Sequence, residues 1–265
     1  MRVSRCVLAL LVILSTACLS TGCSRIDDYF SRVAAEALFL GVDDPTAAAA
    51  VGLNPDLAAG ATATAFLARA TSIDSISANL FSDADSVSIA DGITSVDLDS
   101  LGNGLYSVDS IANTELVYVI GRSYALEVYE DGRLYSAEML APPPPNLSGI
   151  PDAAAGQNHP ANSELAISLG QQFDNYLAIV FDESGNVTYS NQPETASDYL
   201  NWIGGSDAFT SVTIPGSAFP SAAAGYIVGV AGIRRAGDSA FENFNPLVSN
   251  LAMGSLAVSP LITAP

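Results

Sequence analysis

Lysine is absent from the 265 residues, and the three cysteines, Cys6, Cys18 and Cys23, all fall within the first 23 positions. The remainder of the chain has no thiol for a nucleophile, a zinc cluster or a disulfide, and no ε-amine for Schiff-base chemistry. There is one histidine, His159, so a two-histidine zinc site is excluded and a Ser–His–Asp triad would have to be built on that single imidazole. It stands in Asn158-His159-Pro160 with no G-x-S-x-G anywhere in the chain, which favours a structural role at the start of a strand. Phosphate-cradling loops are missing too: Gly229 and Gly232 in VGVAGIRR do not complete a G-x-G-x-x-G, and no Walker sequence is present. Basic charge is scarce. Nine arginines face 28 acidic residues, a net charge of −19, which repels nucleic acid and disfavours electrostatic docking on anionic lipid.

What is present begins with a leader. Arg2 and Arg5 precede an apolar run from Val7 to Leu14, and small residues follow it, the layout of a secretory signal. The uncharged stretch ends in Ser, Thr and Gly, and it falls short of the roughly 20 apolar residues that a spanning helix needs. Leu19-Ser20-Thr21-Gly22-Cys23 resembles the lipobox of bacterial lipoproteins, with Ser20 where that family usually carries Leu. Leu14-Ser15-Thr16-Ala17-Cys18 is a second match, and Gly22 before Cys23 favours the later one. The resemblance implies a signal peptide over residues 1–22, acylation of Cys23, and an exported chain held to a membrane by its N-terminal lipid. Ser24 in place of Asp resembles the pattern sorted to the outer membrane where the host has one. Loss of Arg2 and Arg5 leaves the mature chain at about −21.

With 49% apolar and only 14% charged residues, the chain is too hydrophobic to be a disordered acidic tail. From Arg25 to Val42, Ile26, Phe30, Val33, Ala37 and Leu40 recur every three or four residues, which predicts an amphipathic helix stopped by Gly41 and Asp43-Asp44-Pro45. Thr46 to Gly60 reads as a linker, and Ala61 to Ala70 as a strand. Beyond it the period is two. Strands are predicted at Ser86–Ala90, Thr94–Asp99, Leu105–Asp109, Leu116–Ile120, Ser123–Glu130 and Arg133–Leu140. Pro142 to Pro145 then make a stiff connector. Further strands fall near Leu165–Leu169, Tyr176–Phe181, Val187–Ser190, Phe209–Ile214, Gly225–Ile233 and Ser255–Ile262. A short helix is expected within Pro193–Gly205, and a loop from Ala240 to Asn250. YALEVYEDGRLYSAE (Tyr124–Glu138) and YLAIVFDESGNVTYSN (Tyr176–Asn191) share a strand–turn–strand pattern, which fits either duplicated modules or two convergent hairpins.

Closely spaced strands with turn signals predict a mainly β protein. The texture resembles the immunoglobulin-like or fibronectin-III-like modules of bacterial surface lipoproteins. It implies two tandem β-sandwich modules, residues 61–141 and 151–265, joined by a Pro-rich linker at 142–150 and preceded by a helical stalk and linker at 23–60. The resemblance transfers no functional residues.

Three groups of side chains remain as candidate chemistry. Trp202, the only tryptophan, lies with Tyr199 and Phe209 on an irregular insertion, where aromatics either stack on a sugar or grip a partner, or else plug the open end of a sandwich. Asp97 and Asp99 in Asp97-Leu98-Asp99-Ser100 faintly match a calcium loop, but Leu101 and Val108 occupy positions where an EF-hand carries ligands. They read as solvated turn residues with at most weak calcium affinity, and no cofactor is expected. Arg234-Arg235, the only adjacent basic pair in an acidic body, is placed to meet Asp238 and Glu242. Acidic pairs of the glycosidase kind occur by chance among 28 carboxylates and carry little weight. The function expected is therefore a non-enzymatic binding or scaffolding role in the cell envelope, with an envelope protein as partner. The alternative is a carbohydrate-binding or adhesion module centred on Trp202, and a hydrolase is the least favoured reading.

Overall fold

The computed structural model describes residues 33–42, 60–69, 82–193, 202, 208–237, 240–245 and 249–265. Among them fifteen strands follow in chain order: β1 (Val33–Gly41), β2 (Ala61–Arg69), β3 (Ser86–Ala90), β4 (Ser95–Asp97), β5 (Asp99–Gly102), β6 (Leu105–Asp109), β7 (Ser123–Glu130), β8 (Arg133–Leu140), β9 (Leu165–Phe173), β10 (Asn175–Asp182), β11 (Val187–Ser190), β12 (Phe209–Ile214), β13 (Gly225–Arg235), β14 (Phe241–Glu242) and β15 (Asn250–Ile262). The protein is mainly β.

Eight strands form one long sheet in the order β11-β10-β13-β15-β1-β2-β6-β5. Two smaller sheets, β14-β8-β7-β3-β4 and β12-β9, accompany it. Each small sheet closes a core against a different half of the long one. The first core joins Val33, Ala35, Ala37 and Phe39 of β1 and Ala61, Ala63, Ala65 and Leu67 of β2 to Leu126, Val128, Tyr135 and Ala137 of the five-stranded sheet. The second joins Ala178 and Val180 of β10 and Val228 and Val230 of β13 to Leu165, Ile167, Val212 and Ile214 of the two-stranded sheet. Strand β15 serves both: Leu251 and Met253 enter the first core and Leu261 the second. Between these positions the same face of β15 carries only small residues, among them the fully buried Ser255. The apolar contact breaks there into two cores although the hydrogen-bonded sheet runs on.

The tandem arrangement expected at 61–141 and 151–265 is therefore replaced by two sandwiches fused on a shared sheet. Residues beyond the proline connector, including Phe244, Leu251 and Met253, complete the first core. The helix expected over Arg25–Val42 is likewise corrected, because its described part is strand β1. Val33, Ala35, Ala37 and Phe39 alternate with a period of two, while Val33, Ala37 and Leu40 also fit a spacing of three or four. Pairing with β15 in parallel and β2 antiparallel satisfies both edges of the strand, and that tertiary context decides between the two periods. The segment Leu116–Ile120 is not a strand. It is pinned by Tyr118, whose hydroxyl donates to Pro142 O at 2.9 Å and whose ring lies 5.2 Å from Phe39. A Cβ on Gly41 would fall 2.0 Å from that ring, so the bare backbone of Gly41 is what lets Tyr118 in.

The two echoing stretches are both hairpins, β7–β8 and β10–β11. The first turns on Asp131 and Gly132, both at positive φ, as a two-residue hairpin loop requires. The predicted linker over residues 46–60 lies outside the described residues except for its last, as does the leader with Cys18 and Cys23.

Candidate functional site

The face of the long sheet turned away from the cores carries a third apolar cluster. Leu38 of β1, Ile233 of β13 and Ala252 of β15 are buried there, with Leu40, Leu177 and Trp202 packed partly against them. Gly254 makes room for the packing: a Cβ there would meet Leu40 Cδ2 and Ile233 Cγ1 at 2.9 Å each. Trp202 is helical and half-buried, and its backbone carbonyl accepts a hydrogen bond from Asn175 Nδ2. The amide of Asn175 is itself buried and fixed, its Oδ1 accepting from Tyr176 N at 2.8 Å.

Beside this cluster lies the most perturbed group among the described residues. Glu36 stands next to Asn250 in the parallel ladder of β1 and β15, and Arg235 is opposite Ala252 across β15. The backbone N–H of Arg235 donates to Asp174 Oδ2 at 2.9 Å. Burial pushes the Glu36 carboxyl up to about 7, against the attraction of Arg235 and a hydrogen bond from Asn250. The same loss of water lowers the Arg235 guanidinium from its ordinary range, opposed by Asp174 and Glu36. Glu36 Oε2 and Arg235 Nε and Nη2 are buried with no hydrogen-bond partner. The charges therefore feel each other through space without a closed bridge, a costly arrangement. Chemically this is a carboxyl that changes charge near neutral pH.

The structure separates the aromatics that the sequence grouped. Phe209 packs against the second core and meets Tyr176 edge-on at 5.0 Å, whereas Trp202 lies on the opposite face of β10. Tyr199 lies outside the described residues. Asp97 and Asp99 are both exposed, one at the end of β4 and the other at the start of β5. Between them Leu98 turns inward and donates its N–H to Val87 O at 2.8 Å, as the chain crosses from one sheet to the other. Among the described residues no group of three or more His, Cys, Asp or Glu is placed to hold a metal ion. Arg234 lies over the Phe173 ring at 5.4 Å and reaches Gln171 Oε1 at 3.5 Å. The arginine pair thus turns to β9, Asp174 and Glu36; Glu242 lies instead on β14, and Asp238 is outside the described residues.

His159 is buried and bound into a clasp. Its Nε2 donates to Ser163 O at 2.9 Å, and its ring meets Phe219 edge-on at 5.0 Å. Its backbone bridges to Thr263 in parallel and its N–H donates to Ile262 O at 2.9 Å, so the backbone ties the loop to the end of β15 while the ring holds it to Ser163 and Phe219. The Glu36 cluster escaped sequence reasoning because its members are far apart in the chain. One signal was visible: a lone carboxylate inside VAAEALFLG, an otherwise apolar strand.

No protein-family model matches the chain, and no curated protein matches it at the sequence level. Among solved structures, the chain is similar to a Bacteroides uniformis protein whose name provisionally assigns carbohydrate binding. That likeness has 10% identity and a TM-score of 0.22, over 86% of this chain and 98% of the other. The titin fragment A168169 gives 11% identity and a TM-score of 0.22, over 85% and 97%. At such scores neither likeness carries an argument about this chain.

Proposed function

We propose that the protein is a lipid-anchored component of a cell envelope that acts by binding or scaffolding, without catalysis. The observation that carries this reading is the placement of cysteine: all three lie in or at the end of a leader-like segment, and Cys23 closes a lipobox-like pentapeptide. In this reading the acylated Cys23 tethers the fused pair of sandwiches, and the body offers its loops and faces to a partner. The engagement of His159 in a structural clasp supports a non-catalytic role. The packing of Trp202 onto the sheet supports a covering role for that ring over an open sugar platform.

The experiment is mass spectrometry of the protein purified from its native membrane fraction, alongside a Cys23→Ala variant. An N-terminal peptide beginning at Cys23 with added acyl mass, and release of the variant from the membrane, is the expected result. An unmodified N-terminus on membrane-associated protein, or an unaltered distribution of the variant, overturns the anchor.

A further inference from the structure

One end of the first sandwich carries a concentration of apolar side chains in water. Among the described residues ten large hydrophobics are exposed, and five of them are carried by segments that converge at this end: Ile93 at 87%, Ile111 at 69%, Leu140 at 63%, Val117 and Ile120. They come from three segments knitted together by hydrogen bonds. The β3–β4 turn holds Ile93, and its Asp91 forms an ion pair with Arg122 at 2.5 Å. The connection from β6 to β7 holds Ile111, Val117 and Ile120. It reaches the end of β8, where Leu140 sits, through Gly121 N to Ala141 O and Ala141 N to Arg122 O, each at 2.9 Å. The two most exposed residues are presented alike. Asp91 Oδ1 accepts from the N–H groups of Ile93 and Thr94, and Asp109 Oδ1 from those of Ile111 and Ala112. Each isoleucine is thus held outward by a closed turn.

Exposed isolated hydrophobics need no explanation, whereas several gathered at one end on backbone segments bonded to each other mark a contact surface. The same segments carry acidic charge: Asp109, Glu115 and Glu138 are exposed on them, while their one cation, Arg122, is already paired with Asp91. A second copy would set these charges against themselves, with −19 on each chain, and an anionic bilayer would meet the same repulsion. We infer that this end docks a protein partner that offers an apolar centre ringed by arginine or lysine. The inference deepens the binding reading above and rests on it, although it does not depend on the lipid.

The test uses the full mature chain and three fluorescent twelve-residue peptides: alternating Leu/Arg, alternating Ser/Arg and alternating Leu/Glu. The expected result is that Leu/Arg binds at least tenfold more tightly than either of the others, and that this advantage disappears in Ile93→Ser/Ile111→Ser while the melting temperature stays unchanged. Glu115→Arg should weaken Leu/Arg binding several-fold with both isoleucines in place. Equal binding of Leu/Arg and Ser/Arg, or full Leu/Arg binding by the double serine variant, overturns the assignment. So does a concentration-dependent dimer abolished by Ile93→Ser, or binding to phosphatidylcholine vesicles that the same variant loses. None of these outcomes bears on acylation of Cys23, so failure of this surface and failure of the anchor are told apart.

Discussion

Glu36 sets a pH dependence of stability whose direction and size follow from its surroundings. Its carboxyl titrates at about 7 in the folded protein against an ordinary value of 4.5, so the folded state holds the proton more tightly than the unfolded chain does. The resulting stabilisation is complete below pH 4.5, declines as pH rises, and is gone above about 7. At about 1.4 kcal/mol per pH unit the full loss is about 3 kcal/mol. The groups that face Glu36 are Arg235 and Asn250, with Asp174 behind the arginine and Phe66 beside it on β2. The carboxylates held below their ordinary range, Asp91 by the turn N–H of Thr94 and Asp182 by the side chain of Asn186, lose their contribution only as pH falls below about 4, outside this window. Glu36→Gln keeps the shape and removes the titration. Urea unfolding can be followed through Trp202, which packs beside the cluster. Wild type and variant should have equal stability at pH 4, and the variant should be more stable by about 2–3 kcal/mol at pH 8, a melting temperature gain of about 5–10 °C for a chain of this size. A difference that stays constant from pH 4 to pH 8, or a variant weaker at pH 8, refutes the reasoning.

Other expectations concern packing. Gly41→Ala places a methyl 2.0 Å from the Tyr118 ring and should cost about 2–4 kcal/mol by overpacking, read as a lowered urea midpoint with unchanged slope. Tyr118→Phe removes only the hydroxyl that meets Pro142 O. It should cost about 1 kcal/mol and leave the near-ultraviolet spectrum little altered. His159→Ala deletes the ring against Phe219 and strands Ser163 O, for about 2–3 kcal/mol in thermal unfolding, and it should speed proteolysis of the end of β15.

Strand positions were legible because one face of nearly every strand is buried, and burial writes itself as alternation. β3, β6, β7, β8, β11 and β12 fall where Val, Ile, Tyr and Leu alternate with Ser, Asp and Glu. Residues 33–41 were misread because small apolar residues fill both parities, so two periods fitted and only the flanking strands chose between them. The sharing of one sheet by two cores was invisible. It depends on the parallel pairing of β1 with β15, more than 200 residues apart in sequence, and parallel partners leave no turn signal. The site divided in the same way. Trp202 stood out by rarity, but its packing against Leu38, Ile233 and Ala252 depends on three distant strands. Asp97 and Asp99 stood out by spacing, yet the inward turn of Leu98 makes that spacing a sheet crossing.

Strand β15 lies in the middle of the long sheet, between β13 and β1. In a nascent chain β1 gains its antiparallel neighbour β2 early, but its second neighbour, and that of β13, only when residues 250–262 arrive. Until then the first core lacks Leu251 and Met253 and the second lacks Leu261, so neither is complete before the end of synthesis. For the exported protein proposed above, that delay would suit threading in an unfolded state through a membrane channel. It also means that a late proteolytic nick or premature stop, trimming a short piece from one end, dismantles both halves of the molecule at once.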